Sequence, residues 1–208
     1  MERLHLENAE HLLKKEDFLY LQYFLLYKAQ KECDLKKRYD LLLQALHLTQ
    51  PNWTPSDFAN SCYSQCELKI LCNLGIIYSC NNSISSASSL LYQLLDFMSS
   101  DNMDILAGQR ISPMVLSSSA RHFCRHKAYH QLLDLSPKYA TADSCSSISH
   151  LAYFFAHYSQ AALEITHNTT EATLYINYTI YNFKIIENNL SLNKYKTILS
   201  NDYAIDLL

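Results

Sequence analysis

Glycine is almost missing from this chain. Of 208 residues, two are glycine and four are proline. Hairpins and sandwiches need positive-φ positions at their turns, which glycine supplies. Dinucleotide and phosphate loops need two or three closely spaced glycines, so nucleotide binding of that kind is excluded. Charge is sparse too. Charged residues make up 18% of the chain and the net charge is −3, which gives no basic footprint for DNA or RNA. No apolar run approaches the roughly 20 residues of a membrane span. Residues 1–10 are polar and lack the apolar segment of a secretory signal.

What is present is apolar and helical. Hydrophobic residues reach 49%, enough for one continuous core in a single domain over 1–208. The seven cysteines (Cys33, Cys62, Cys66, Cys72, Cys80, Cys124 and Cys145) are odd in number. They predict free thiols packed as small apolar groups in a reducing cytoplasm. Hydrophobic periodicity predicts about ten helices, near 5–15, 18–32, 35–49, 64–80, 84–99, 103–125, 127–141, 147–166, 169–187 and 190–201. Asp17, Asp34 and Asn168 or Thr169 are expected N-caps, and Ser64 with Glu67 has the spacing of a capping box. Pro113 predicts a break or kink in the sixth helix. Short turns between helices of similar length make antiparallel hairpins, and repeating that unit makes a solenoid.

One constellation gives the solenoid a type. Leu71, Leu74, Gly75 and Tyr78, followed by Ala87 and Leu91, match the tetratricopeptide (TPR) pattern W-x2-L-G-x2-Y, then A-x3-F, with leucine for the tryptophan and phenylalanine. Gly75 and Ala87 fall where two helices cross closely and a larger side chain would force them apart. Phe123 with Tyr129 and Leu132, and Leu163 with Ala172 and Ile176, are weaker copies at roughly 40–45-residue intervals. Ala45-Leu46-x-Leu48, closed by Pro51, is similar to a TPR second helix. The expected fold is therefore all-α, a TPR-like right-handed superhelix of antiparallel hairpins.

The stretches Arg38 to Thr49, Glu67 to Tyr78 and Tyr181 to Ile186 resemble the C-terminal TPR region of bacterial helix-turn-helix regulators of the XRE type, related to the peptide-responsive Rgg and PlcR families. The resemblance implies a regulatory domain that binds a short peptide in a concave groove and acts as a homodimer in the cytoplasm. These 208 residues include no segment resembling a helix-turn-helix, so direct nucleic-acid contact is not implied for them. A stand-alone TPR scaffold or adaptor, binding a protein segment, is the alternative.

In such a solenoid the first helix of each hairpin lines the groove. Lys69, Asn73 and Ile76 share one face of the fourth helix, and the Asn73 amide can donate to and accept from a peptide backbone. Arg121 and Arg125, one turn apart, suit a peptide carboxylate. His157 occupies the corresponding part of the eighth helix. His122, His126 and His130 invite a zinc reading, but no H-E-x-x-H arrangement is present and no third ligand is identified. No metal, no cofactor and no catalytic residue is expected. Tyr175, Tyr178 and Tyr181 point to core and interface packing rather than base stacking.

Overall fold

The structure, a computed structural model, describes residues 17–60, 62–99, 105–139, 148–166 and 169–205. Among these residues it is all-helical, with no strand. The helices are α1 (Phe18–Lys31), α2 (Leu35–His47), α3 (Gln65–Cys80), α4 (Ile84–Ser99), α5 (Ile105–Arg125), α6 (Tyr129–Tyr139), α7 (Ile148–Thr166), α8 (Thr169–Ile185) and α9 (Asn189–Tyr203), with a 3-10 turn at Pro55–Asn60. The helix expected near 5–15, the cap at Asn168 and Cys145 lie outside the described residues. None of the described helices is long and apolar enough to cross a membrane.

Two of the expected caps form. The Asp34 side chain accepts from the Lys37 N–H, which holds its carboxyl below the usual range. Ser64 and Glu67 close a complete capping box at the start of α3. Asp17 does not cap α1 with its side chain. Only its carbonyl is used, accepting from the Leu21 N–H at 2.9 Å. Pro113 does not break α5, which runs through it. Proline removes one donor and leaves the rest of the ladder intact, and here buried Ile111, Pro113, Val115 and Leu116 hold the turn.

A glycine-poor chain still needs tight helix ends. Asn82, Lys127 and Glu187 take the left-handed conformation, at φ 57°, 55° and 53°. In each case the next residue bonds back to the carbonyl of an aromatic residue five positions earlier. Ser83 N–H donates to Tyr78 at 2.9 Å, Ala128 N–H to Phe123 at 2.8 Å and Asn188 N–H to Phe183 at 3.0 Å. This is the Schellman ending, built without glycine. It tolerates a left-handed cost of roughly 1–2 kcal/mol per non-glycine residue in exchange for satisfied carbonyls. The same turn closes α3, α5 and α8.

Contacts divide the chain into two units, Met1–Leu94 and Leu95–Leu208. In the first, α1, α2 and α3 contact one another pairwise. α3 is the inner helix, burying Leu68, Ile70, Leu71, Cys72, Leu74 and Ile77. In the second, α5 contacts α6 and α7, α6 contacts α7, α7 contacts α8, and α8 contacts α9. There α7 is the inner helix, with Ala152, Phe154, Ala156, Ala161 and Ala162 buried. The described cysteines are free thiols, but not all are packed: Cys66 and Cys72 are buried, whereas Cys33 and Cys62 lie exposed in connecting segments.

Candidate functional site

In the unit up to Leu94, the repeat positions sit in the core. Leu71, Leu74, Gly75, Ala87 and Leu91 are buried and Tyr78 is half-buried. A Cβ built on Gly75 would lie 3.1 Å from both Cγ and Cδ2 of Leu91, so a methyl at position 75 would press on that side chain of α4. The Tyr78 ring meets that of Tyr39 at 6.0 Å. Burial first, then the hydrogen bond to Tyr39, pushes its phenol up to about 12. An open cavity of about 350 Å³, lined by Pro55, Tyr78, Ser85, Ser86, Ser89 and Leu90, lies beside it.

On the face of α3 expected to receive a ligand, Lys69 and Ile76 are half-buried. Asn73 is only 7% exposed, and its amide is already engaged. Its Nδ2 donates to the Lys69 carbonyl at 2.8 Å, and its Oδ1 accepts from Arg38 Nη2 at 3.2 Å. The Asn73 amide therefore ties α2 to α3 in this structure. Its partner Arg38 is half-buried, as Lys69 and Ile76 are.

In the unit from Leu95, Arg121 and His157 lie near each other. α5 and α7 contact each other and place Arg121 close enough to His157 to disfavour its protonation. Burial is the larger cause, and the imidazole is pushed down to about 4. Arg121 and Arg125 are both exposed. Sequence reasoning missed the groups around them. Gln160 Oε1 faces Cys124 Sγ and His157 Nδ1, each at 3.4 Å. Because that oxygen only accepts, the thiol and the Nδ1–H both donate to it, leaving His157 Nε2 as an acceptor. One turn on, Glu164 accepts from the Tyr203 hydroxyl at 2.8 Å, joining α9 to α7. His157, Gln160 and Glu164 lie at steps of three and four, and Arg121 and Cys124 at a step of three. Helical period alone thus held the signal, but the pairing of the two helices did not.

Burial, then Glu164, pushes the Cys124 thiol up to about 11, so at neutral pH it is a weak donor and not a thiolate nucleophile. His157 is a neutral imidazole. From Arg121 past His157 and Gln160 to Glu164, the strip runs from a cation through neutral donors and acceptors to an acid. His122 and His126 lie together on α5, and His150 Nδ1 meets Ser117 Oγ at 3.2 Å between α7 and α5. The rings of His122 and His126 are 4.9 Å apart, and His122 is buried and pushed down to about 4 by burial and by His126. Among the described residues no three His, Cys, Asp or Glu side chains form a metal-binding group.

The chain matches no family model, no curated protein and no solved structure.

Proposed function

We propose that this chain is a TPR-like regulatory domain of a transcriptional regulator that senses a short peptide along the α5–α7 strip. The supporting observation is the juxtaposition of Arg121, His157, Gln160 and Glu164 on two neighbouring first helices of hairpins. An extended peptide has this polarity: a carboxylate suits Arg121, backbone amides suit the His157 and Gln160 acceptors and donors, and a free amine suits Glu164. Antiparallel hairpins, the close Gly75–Leu91 crossing and the repeated Schellman turns fit a solenoid of the TPR kind. Binding would shift the population of hairpin arrangements and so reposition an attached domain.

The test is to purify the full chain, release bound small molecules by acid and identify peptides by mass spectrometry. The expected result is a short peptide whose affinity, by calorimetry, falls at least ~10-fold in Arg121→Ala. Asn73→Ala should lower stability and leave affinity little changed, since its amide is used internally. Recovery of a folded protein and no short peptide would favour the scaffold or adaptor reading. An Arg121→Ala variant with unaltered affinity would remove the strip as the site.

A further inference from the structure

Arg38 on α2 is half-buried, and its Nε–H is buried without an acceptor. A buried donor of a charged group left unpaired bears the whole desolvation penalty of that group. The neighbouring Nη2 is engaged only by an amide. It donates to Asn73 Oδ1 at 3.2 Å, longer than the roughly 2.7–2.9 Å of a bond between ionised partners. Nε–H and an Nη2–H point the same way along one edge of the planar guanidinium. That edge is the fork that takes two oxygens of one oxyanion.

The charge around this fork is unbalanced. Lys69, one turn before Asn73 on α3, is a second half-buried cation, and its carbonyl accepts from Asn73 Nδ2. Cys66 is close to Lys69 but does not neutralise it. Burial, reinforced by Glu67, outweighs the pull of Lys69 and holds the thiol up at about 11. Between them α2 and α3 carry two acids, Asp40 and Glu67. Asp40 is exposed and two residues on from Arg38, on the other side of α2. Glu67 is spent on Thr49 and the Ser64 N–H. Just before α2, Asp34 accepts from the Lys37 N–H and Glu32 from the Asp34 N–H. α1 holds no acid.

We propose that Arg38 and Lys69 form a site for a small oxyanion, a carboxylate or a phosphate group, held by the Arg38 fork at the α2–α3 contact with Lys69 as the second cation. Charge and hydrogen bonding select this occupant. An ionised acceptor bonds about twice as strongly as a neutral one, so it would take the fork in preference to the Asn73 amide and supply the acceptor that Nε–H lacks. A cationic ligand would meet two like charges, and an apolar one would leave Nε–H unpaired. The site lies within the unit up to Leu94, and the inference does not depend on what the α5–α7 strip binds.

Nuclear magnetic resonance of the isotope-labelled full chain tests it, read at the Arg38 Nε–H. Sodium phosphate and sodium acetate are the probes, and sodium chloride at matched ionic strength is the blank. The resonance should move and saturate with at least one oxyanion, at a Kd on the order of 1 mM. Saturation by phosphate alone marks a phosphate ligand and by acetate alone a carboxylate, and either supports the site. Lys69→Gln should weaken binding at least ~3-fold. Arg38→Lys keeps the charge and loses the fork. It should weaken binding at least ~10-fold, read at the Asn73 side-chain amide, while circular dichroism shows unchanged helicity. Lys36→Gln, which removes an exposed cation of the same helix, should leave binding unchanged. If Arg38→Lys loses helicity, Lys69→Gln decides. No saturation beyond the chloride blank with either oxyanion, or wild-type affinity in folded Arg38→Lys or in Lys69→Gln, overturns the proposal.

Discussion

Up to Leu94 one continuous chain of side-chain hydrogen bonds runs from Gln22 through Thr49 to Glu67, whereas from Leu95 onward shorter pairs such as Ser159 with Tyr195 and Glu164 with Tyr203 sit among alanines and rings. In the first unit, Gln22 Nε2 donates to the Ala45 carbonyl at 3.0 Å and to Thr49 Oγ1 at 2.7 Å. Thr49 in turn donates to Glu67 Oε1 at 2.6 Å, and Glu67 Oε2 accepts from the Ser64 N–H. Gln22 and Glu67 are both buried, so this chain fixes α1, the end of α2 and the start of α3 in one register. In the second unit, Tyr158 meets Tyr175 at 4.4 Å and Tyr153 meets Phe183 at 5.3 Å, beside the alanines of α7. Buried hydrogen bonds specify one alignment and penalise others. Apolar packing contributes comparable stability with looser alignment. The expectation is a first unit that fails sharply when one polar group is removed, and a second that yields to conditions that charge its histidines.

Among single substitutions the largest effect should come from Glu67→Ala. It leaves Thr49 and the Ser64 N–H without their acceptor and removes the capping box, a loss of about 3 kcal/mol. Denaturant unfolding measures it, and Glu67→Gln, which keeps one acceptor, should lose less. A loss under ~0.5 kcal/mol for the alanine variant would mean the network does not set the register.

Acid should separate the units in the other direction. His122 and His157 are pushed from 6.5 to about 4. In the unfolded chain they bind protons below about 6.5, and in the folded chain only near 4. Between those values the unfolded state holds more protons, so stability is present above about pH 6.5 and is lost as pH falls toward 4. The loss is up to about 3 kcal/mol for each histidine. Both lie in the second unit, and burial lowers His150 there as well. Hydrogen exchange at pH 4.5 against pH 7 should show α5 and α7 losing protection before α3. Loss of α3 first would contradict the contrast between the units.

Much of this was legible in the sequence because it was local. Helix positions followed from apolar period, and the caps at Asp34 and Ser64 followed from side chains reaching their own first turn. Legibility stopped where a partner lay far along the chain. Asn73 looked like a free amide because nothing local pairs it with Arg38, 35 positions away. Gln160 and Glu164 were overlooked although they share a helical face with His157, since their meaning depends on Cys124 and Tyr203. The scarcity of glycine pointed correctly away from sheets. It concealed that Asn82, Lys127 and Glu187 would take on glycine's work at helix ends.

The smallest effect, and the one most diagnostic of the α3–α4 contact, should be Gly75→Ala. Two terms oppose each other. Alanine gains about 1 kcal/mol in helix propensity over glycine within α3. Against this, its methyl would stand 3.1 Å from Leu91 Cγ and Cδ2. Leu91 is fully buried, and Cγ is the branch point of its side chain, so it cannot swing clear without displacing α4. Overpacking of this kind costs about 1–3 kcal/mol. The difference should be a net destabilisation of about 1 kcal/mol, visible as a lower Tm, with Gly75→Val losing more because it adds branched bulk at the same crossing. If alanine instead stabilised the chain by about 1 kcal/mol, its full propensity gain, Leu91 would have room to move. Closeness of the α3–α4 crossing would then not be what keeps glycine at position 75.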